Sequence, residues 1–191
     1  MRIVLATVGA LAFAAPAAAD LSTGIAAYRQ GDYAAAMQEV LPLAERGDAE
    51  AEYYAGAMYE AGLGVEQSYD KAVGWYRRAA EQGLVMAQHH LGVLFETGEG
   101  VGKDHARAIE WYLRAAEQGY GPAQSNLASL YMRGGWGLES NPLLAYVWYN
   151  LAEEQDFPGA KRERMFAERF LSREQISEAE KLAQDRKRAM R

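Results

Sequence analysis

The sequence predicts an all-α protein, an α-solenoid in which antiparallel helix pairs stack into a right-handed superhelix. A 36-residue unit occupies residues 49–84 and again 85–120, and a third copy with one extra loop residue occupies 121–157. Each copy contains two segments with apolar residues at helical spacing, separated by a glycine-rich turn. The chain has no cysteine, so disulfides and thiolate metal sites are excluded. Helix packing must therefore hold the fold together.

The first segment of each unit reads as an amphipathic helix. In the first copy, Ala51, Ala55, Met58 and Tyr59 fall at i, i+4, i+7 and i+8, which places them on one helix face. Gly56 lies among them and has no side chain, so a neighbouring helix can approach closely. A helix of this length cannot bury such a face alone, and successive units are expected to stack.

The second segment begins at a residue that commonly caps a helix N-terminus. These residues are Ser68 in copy one, Asp104 in copy two and either Ser140 or Asn141 in copy three. Within the helix, an aromatic pair recurs that begins at Trp75 in copy one. Small and aromatic residues alternating at helical spacing predict close packing against the first helix of the same unit.

The segments on either side of the three copies complete one predicted domain, residues 20–191. Residues 20–47 resemble a degenerate first helix pair, and the first copy with its preceding residue spans 48–84. Residues 158–191 predict C-terminal capping helices, of which the last begins at a capping box that starts with Ser172. A charged terminal element of this kind shields the last stack of a solenoid from water.

Residues 1–19 have the pattern of a secretory signal peptide. A single Arg is followed by a short apolar run, and an alanine-rich stretch containing Pro16 ends at Ala19. The run is too short for a membrane span of about 20 residues. We expect cleavage after Ala19, a periplasmic or secreted mature chain, and no membrane insertion after cleavage.

The glycine-turn motif and the motif Trp-Tyr-x-x-Ala-Ala-Glu-Gln-Gly together resemble the Sel-like repeat (SLR), a branch of the tetratricopeptide superfamily. Copy one has Gly62-Leu63-Gly64-Val65 with the second motif at 75–83, and copy two has it at 111–119. The resemblance is to exported bacterial members and covers essentially residues 20–185. It implies a non-catalytic adaptor of the bacterial envelope that holds a peptide or protein partner on its concave face.

One stripe on the first helices differs between copies while its neighbours do not. Either a partner-binding surface or a row of unselected solvent positions would vary in this way, and we predict that the stripe binds the partner. Replacing Tyr53, His89 and Glu96 together is expected to abolish partner capture without lowering the melting temperature. Since the net charge is −6, nucleic acid is a poor candidate partner. The predicted concave-face residues are Tyr53, Ala57, Glu60, His89, Val93, Glu96, Ser125, Ser129 and Met132.

The alternative function is that of a hydrolase acting on a β-lactam or cell-wall substrate, because residues 68–71 spell the S-x-x-K motif. Ser68 stands where each copy has its helix N-cap, and the accompanying motifs are missing, so we favour the cap interpretation. His89 and His90 lack the i, i+4 spacing of a helical metal pair. The sequence thus predicts a protein without catalytic residues, cofactor or metal.

Self-association remains open as a further possibility. Trp136, in the loop of copy three, could serve as an exposed anchor for a second copy. We nevertheless expect a monomer, which light scattering on the purified mature chain would test.

Overall fold

The computed structural model describes residues 19–134 and 139–190, and these form α-helices joined by short turns, with no strand in either range. The predicted all-α solenoid of helix pairs is confirmed. The predicted signal peptide and Trp136 lie outside the described residues, apart from Ala19. The helices are α1 (Leu21–Gln30), α2 (Tyr33–Glu45), α3 (Ala49–Ala61), α4 (Tyr69–Glu81), α5 (Val85–Thr97), α6 (His105–Glu117), α7 (Gly121–Arg133), α8 (Pro142–Glu153), α9 (Ala160–Glu168) and α10 (Arg173–Ala189).

From α1 to α9, each helix packs against the next one in sequence, and α10 packs on α8. The predicted N-caps are confirmed, since the side chains of Ser68, Asp104 and Asn141 each accept a hydrogen bond from a backbone N–H three residues on. In copy three the cap is therefore Asn141. The Ser140 hydroxyl instead donates to the Met132 carbonyl oxygen. Each cap fixes the start of a second helix.

Close packing inside each of the first two repeats depends on a glycine in its first helix. A Cβ added to Gly56 would lie 2.8 Å from the ring of Tyr76, and one added to Gly92 would lie 2.5 Å from the ring of Tyr112. Both tyrosines are fully buried. The glycines predicted to permit close approach therefore make room for an aromatic ring of the second helix of the same repeat.

In the first two repeats, a second glycine in the turn sets the contact with the helix pair before it. Gly64 has φ 71° and Gly100 has φ 68°. An added Cβ would collide with the Tyr33 carbonyl group at Gly64 and with Tyr69 at Gly100. Positive φ and this close contact both require glycine. These two turns therefore hold the first and second repeats against the start of the second helix in the pair before each.

Tryptophans of the second helices stack with arginines on the outer side of the solenoid. The guanidinium of Arg78 lies 4.8 Å from the ring centre of Trp75, and Arg114 lies 4.5 Å from that of Trp111. Both indole rings remain half-buried. The arginine and tryptophan are three residues apart on one helix, so each of the first two repeats supplies both members of the stack.

The third repeat obtains the same stack from α10. Leu151 occupies the position of Arg78 and Arg114, and Arg186 of α10 places its guanidinium 4.7 Å from the ring centre of Trp148. Trp148 is 1% exposed as a result. The capping box of α10 is present at Ser172 and Gln175. The last helix therefore covers the end of the core.

No helix in the described ranges combines the length and the apolar character that crossing a membrane requires.

Candidate functional site

The first helices of the three repeats touch one another directly, and their shared surface is here called the first-helix face. The Tyr53 hydroxyl of α3 lies 3.3 Å from Nε2 of His90 in α5. In α5, Nε2 of His89 lies 3.2 Å from the side-chain amide nitrogen of Asn126 in α7. These two equivalent contacts link α3, α5 and α7 in order. The face therefore runs continuously across the repeats.

The residues predicted to bind a partner all lie half-buried on these helices. None belongs to the closed core and none is fully exposed. Whether they bind a partner remains a prediction. The residues are Tyr53, Ala57 and Glu60 on α3, His89, Val93 and Glu96 on α5, and Ser125, Ser129 and Met132 on α7.

The two glutamates on this face accept hydrogen bonds from the buried tyrosines of their own repeats. The Tyr76 hydroxyl donates to Glu60 at 2.6 Å, and the Tyr112 hydroxyl donates to Glu96 at 2.9 Å. Burial and the neighbouring carboxylate raise the pKa of both tyrosines well above the ordinary value. These hydroxyls stay protonated and hold the carboxylates in place.

The third repeat lacks this glutamate, and its polar contacts are rearranged. Met132 stands at the position of Glu60 and Glu96, and the side chain of Ser129 lies beside the Tyr149 hydroxyl. Arg133, next to Met132, reaches back to Glu96 with a 2.6 Å ion pair. Glu96 is thereby bound from its own repeat and from the next. The negative charge of the face is concentrated in the first two repeats.

Aromatic rings fill the face between α3 and α5. Tyr53 makes ring contacts with Tyr54, Tyr76 and His90 at centroid distances of 5.6, 5.7 and 5.5 Å. Burial raises the pKa of Tyr53 to about 12. Tyr76 and His90 are stacked at 5.1 Å with 22° between their planes. Tyr53 therefore supports packing between repeats as well as lining the face.

His89 lies in an aromatic pocket between α5, α6 and the start of α7. Its ring is 5.7 Å from that of Tyr112 and 5.4 Å from that of Tyr120. Burial and the adjacent His90 lower its pKa to about 4. The ring is neutral at physiological pH. No three His, Cys, Asp or Glu residues of the described ranges are grouped closely enough to hold a metal ion.

A buried polar row, not predicted from the sequence, joins the two helices of each repeat. Glu52 is 1% exposed, and its carboxylate binds Arg78 at 2.7 Å and accepts from Gln82 at 2.7 Å. In the second repeat, Gln118 donates to Gln88 at 2.8 Å. The third repeat has the equivalent bond between Gln155 and Gln124 at 2.9 Å. Recurrence of these polar residues beside buried alanines was the available signal.

Helix α9 continues the first-helix face beyond the predicted stripe. The turns before α7 and α9 have the same backbone bond, from Tyr120 to Ala115 and from Phe157 to Ala152. Counting from these turns aligns α9 with α7. Three residues of α9 and its C-terminal end then take the positions of Ser125, Ser129 and Met132, and they are Arg162, Phe166 and Arg169.

The Ser-x-x-Lys motif has a structural role in helix α4. The Ser68 side chain accepts a hydrogen bond from the backbone N–H of Lys71 at 3.4 Å, as an N-cap does. The Lys71 ammonium lies 5.0 Å from the ring centre of Tyr59. Both residues thus contribute to the helix start and its packing.

Solved structures with this architecture give the context for the face. The Sel1 repeat protein of Oxalobacter formigenes is 34% identical, with a TM-score of 0.71, over 76% of this chain and 59% of that chain. A protective antigen present in uropathogenic Escherichia coli strains, which displays an SLR fold, is 31% identical with a TM-score of 0.75. The match covers 87% of this chain and 39% of the antigen. The matched region therefore spans less than two thirds of the length of either relative.

The family model for the Sel1 repeat matches residues 49–84, 85–120 and 121–157. No curated protein matches the chain. Sel1 repeat proteins are generally protein-interaction modules. The family model matches more than half of the sequence, and the solved structures share the fold. The chain belongs to the Sel1 repeat family.

Proposed function

We propose that this protein is a non-catalytic adaptor of the bacterial envelope that binds a peptide or protein segment along the first-helix face. The observation that carries the proposal is the pair of contacts that join α3, α5 and α7 into one face, to which the alignment of the turns adds α9. Repeat proteins use extended surfaces of this kind for binding. Tyrosine and arginine, which are enriched where interfaces bind most strongly, lie along it.

Variation between repeats supports the same proposal. Aromatic and imidazole rings dominate between α3 and α5, whereas Ser125 and Ser129 are small and polar on α7. Phe166 and Arg169 follow at the C-terminal end. A partner segment lying along the face would meet a different chemistry at each repeat. Such an order would fix its direction and register.

Site-specific photocrosslinking tests the proposal. A photoreactive amino acid replaces Ser125, which is half-buried on α7, and the control variant carries it at Arg77, which is exposed on α4. Irradiation of cells and mass spectrometry of the adducts should identify a partner protein from position 125 and not from position 77. Equal adducts from both positions, or adducts from position 77 alone, would contradict binding at this face.

A substitution gives the complementary test. Ser125→Arg should block capture of the crosslinked partner while the melting temperature stays near that of the parent protein. Tyr53, His89 and Glu96 are less suitable, because each contacts a neighbouring helix. We therefore expect their joint replacement to lower the melting temperature, which differs from the expectation based on sequence.

A further inference from the structure

The exposed large apolar side chains of the described ranges are concentrated at one end of the first-helix face. Met165, Phe166 and Phe170 are 54%, 44% and 56% exposed. The two phenylalanine rings touch edge to face, with centroids 5.3 Å apart. Large apolar groups clustered on a surface mark an interaction site. These three residues are here called the apolar platform.

The platform lies on the solvent-exposed side of α9, and the buried residues of α9 show which side that is. Ala160 and Ala167 of α9 are buried, as are the corresponding residues Ala123 and Leu130 of α7. Phe166 consequently continues the stripe that Ser129 occupies in the third repeat. The platform therefore forms the C-terminal end of the surface along which a partner segment is proposed to lie.

Cations without carboxylate partners border the platform. Lys161 and Arg169 are exposed and have no carboxylate within ion-pair distance in the described ranges. The two carboxylates of α9 are already bound by arginines of the same helix, Glu163 by Arg162 and Glu168 by Arg164. The positive charge beside the platform is therefore available to a ligand, although the whole chain is acidic.

We propose that this end of the first-helix face anchors an extended, acidic segment of a partner protein by inserting one bulky apolar side chain against Phe166 and Phe170. Carboxylates of that segment pair with Lys161 and Arg169. This inference rests on the proposed function, and it adds the chemistry of the ligand and the end at which it is anchored.

Charge complementarity selects this occupant. Since Lys161 and Arg169 flank the apolar platform, a ligand that covers all of these groups must carry negative charge beside an apolar side chain. A membrane with anionic lipids offers related chemistry. The alignment of Phe166 with the stripe of α7 favours a segment that continues along the solenoid.

Selection from a displayed library of random dodecapeptides, with the full mature chain as bait, tests the proposal. The recovered peptides should be enriched in Asp or Glu together with Phe, Leu or Trp. Fluorescence anisotropy then measures the affinity of one selected peptide. Phe166→Ser/Phe170→Ser and Lys161→Glu/Arg169→Glu should each weaken binding by roughly tenfold or more, and binding to the parent chain should weaken as salt rises.

The control variant, Arg77→Glu/Lys181→Glu, changes two exposed cations on α4 and α10 and should bind as the parent does. Far-ultraviolet circular dichroism verifies that each variant is folded. Recovery of neutral or basic peptides, failure to recover any peptide, or binding unaffected by the platform variants would overturn the anchor. If the selected peptides no longer bind the Ser125→Arg variant but bind the platform variants as they bind the parent chain, the anchor is wrong and the proposed function still holds.

Two further outcomes count against the anchor. Cosedimentation with phosphatidylglycerol vesicles that disappears in Phe166→Ser/Phe170→Ser, without selected peptides, would assign the platform to a membrane. Concentration-dependent dimerisation in light scattering that the same variant abolishes would assign it to a second copy of the chain.

Discussion

At the scale of single residues, the imidazole of His89 shows how the first-helix face is coupled to folding. Its ring is held between Tyr112 and Tyr120 and meets Asn126. In the folded chain its pKa falls to about 4 from an ordinary 6.5 because burial disfavours the charged ring. The unfolded chain therefore binds a proton at a higher pH than the folded chain does.

We expect stability to fall as pH falls from about 6.5 to 4, because the unfolded state takes up the proton first. One pKa unit corresponds to about 1.4 kcal/mol, and with partial exposure of His89 the loss is about 2 kcal/mol. Urea unfolding across this range measures it, and His89→Asn should show a shallower dependence. An unchanged slope in the variant would show that His89 does not contribute.

The glycine of the first helix gives a second prediction for a single residue. Gly92→Ala should lower the free energy of unfolding by about 1 to 3 kcal/mol, because the new Cβ overlaps the buried ring of Tyr112. The matched control is Gly74→Ala on α4, where an added Cβ meets nothing within 4 Å. That variant should gain about 0.5 to 1 kcal/mol from helix propensity. Equal losses in the two variants would contradict the packing explanation.

At the scale of helices, the buried polar row distinguishes the first repeat from the others. The first repeat has a charged pair, Glu52 with Arg78. The third has Gln124 and, at the arginine position, Leu151, with α10 supplying the stacking cation. A carboxylate buried without its cation is costly, whereas an amide is less so. Replacing one member of a pair should therefore destabilise the protein, whereas replacing both members by those of the other repeat should be tolerated better.

A double-mutant cycle tests this interchange. Arg78→Leu should cost about 1 to 3 kcal/mol, because it leaves the Glu52 carboxylate with Gln82 as its remaining side-chain donor. The double variant Glu52→Gln/Arg78→Leu reproduces the combination of the third repeat and should recover part of this loss. Chemical unfolding of the four proteins gives the coupling free energy. Additive effects would show that the pair is not coupled.

At the scale of the whole molecule, α10 closes the solenoid. It packs on α8, covers Trp148 and contributes the buried residues Ala179 and Ala183. An uncovered terminal pair would expose its apolar side, so terminal elements with a polar outer surface are required in repeat proteins. The stability of α8 thus depends on a helix that follows it by nearly twenty residues.

Detaching α10 should be visible at Trp148. Ala183→Glu places a carboxylate in the contact between α10 and α8, and we expect a loss of about 2 to 4 kcal/mol with a red shift in tryptophan emission. Gln184→Glu, at the next and exposed position, is the control and should leave both unchanged. Thermal unfolding followed by fluorescence measures the two variants. If the tryptophan emission of Ala183→Glu is not shifted to the red, the burial of Trp148 does not depend on α10.

The helix pairs could be predicted from the sequence because the same pattern occurs in each of the three repeats. Caps such as Ser68 and the small residue at Gly56 follow from local geometry, and both were read correctly. The polar row through Gln88 depends on a partner thirty residues away, and a buried amide in one helix looks like a surface residue until its partner is known. The alignment of α9 with α7 needed the shared turn before each helix, because α9 lacks the repeat motif.

The predicted stripe also changed in meaning once its neighbours were known. Variation at Tyr53 and His89 indicated either a binding surface or unselected solvent positions. Their contacts with His90 and Asn126 show a third role, in which residues differ between repeats because their partners differ as well. Side-chain contacts between two helices cannot be predicted from the sequence pattern of either helix alone.

The order of helix contacts has a consequence for how the chain folds. Each helix from α1 to α9 packs on the next one in sequence, and α10 on α8 is the main contact that skips a helix. Contacts between segments that are near in sequence form quickly. A chain that emerges N-terminus first can therefore form each helix pair as soon as the second helix of that pair has emerged. The outer side of α8 must wait for α10. Trp148 is therefore expected to be buried last during folding, after α1 to α7 are already in place.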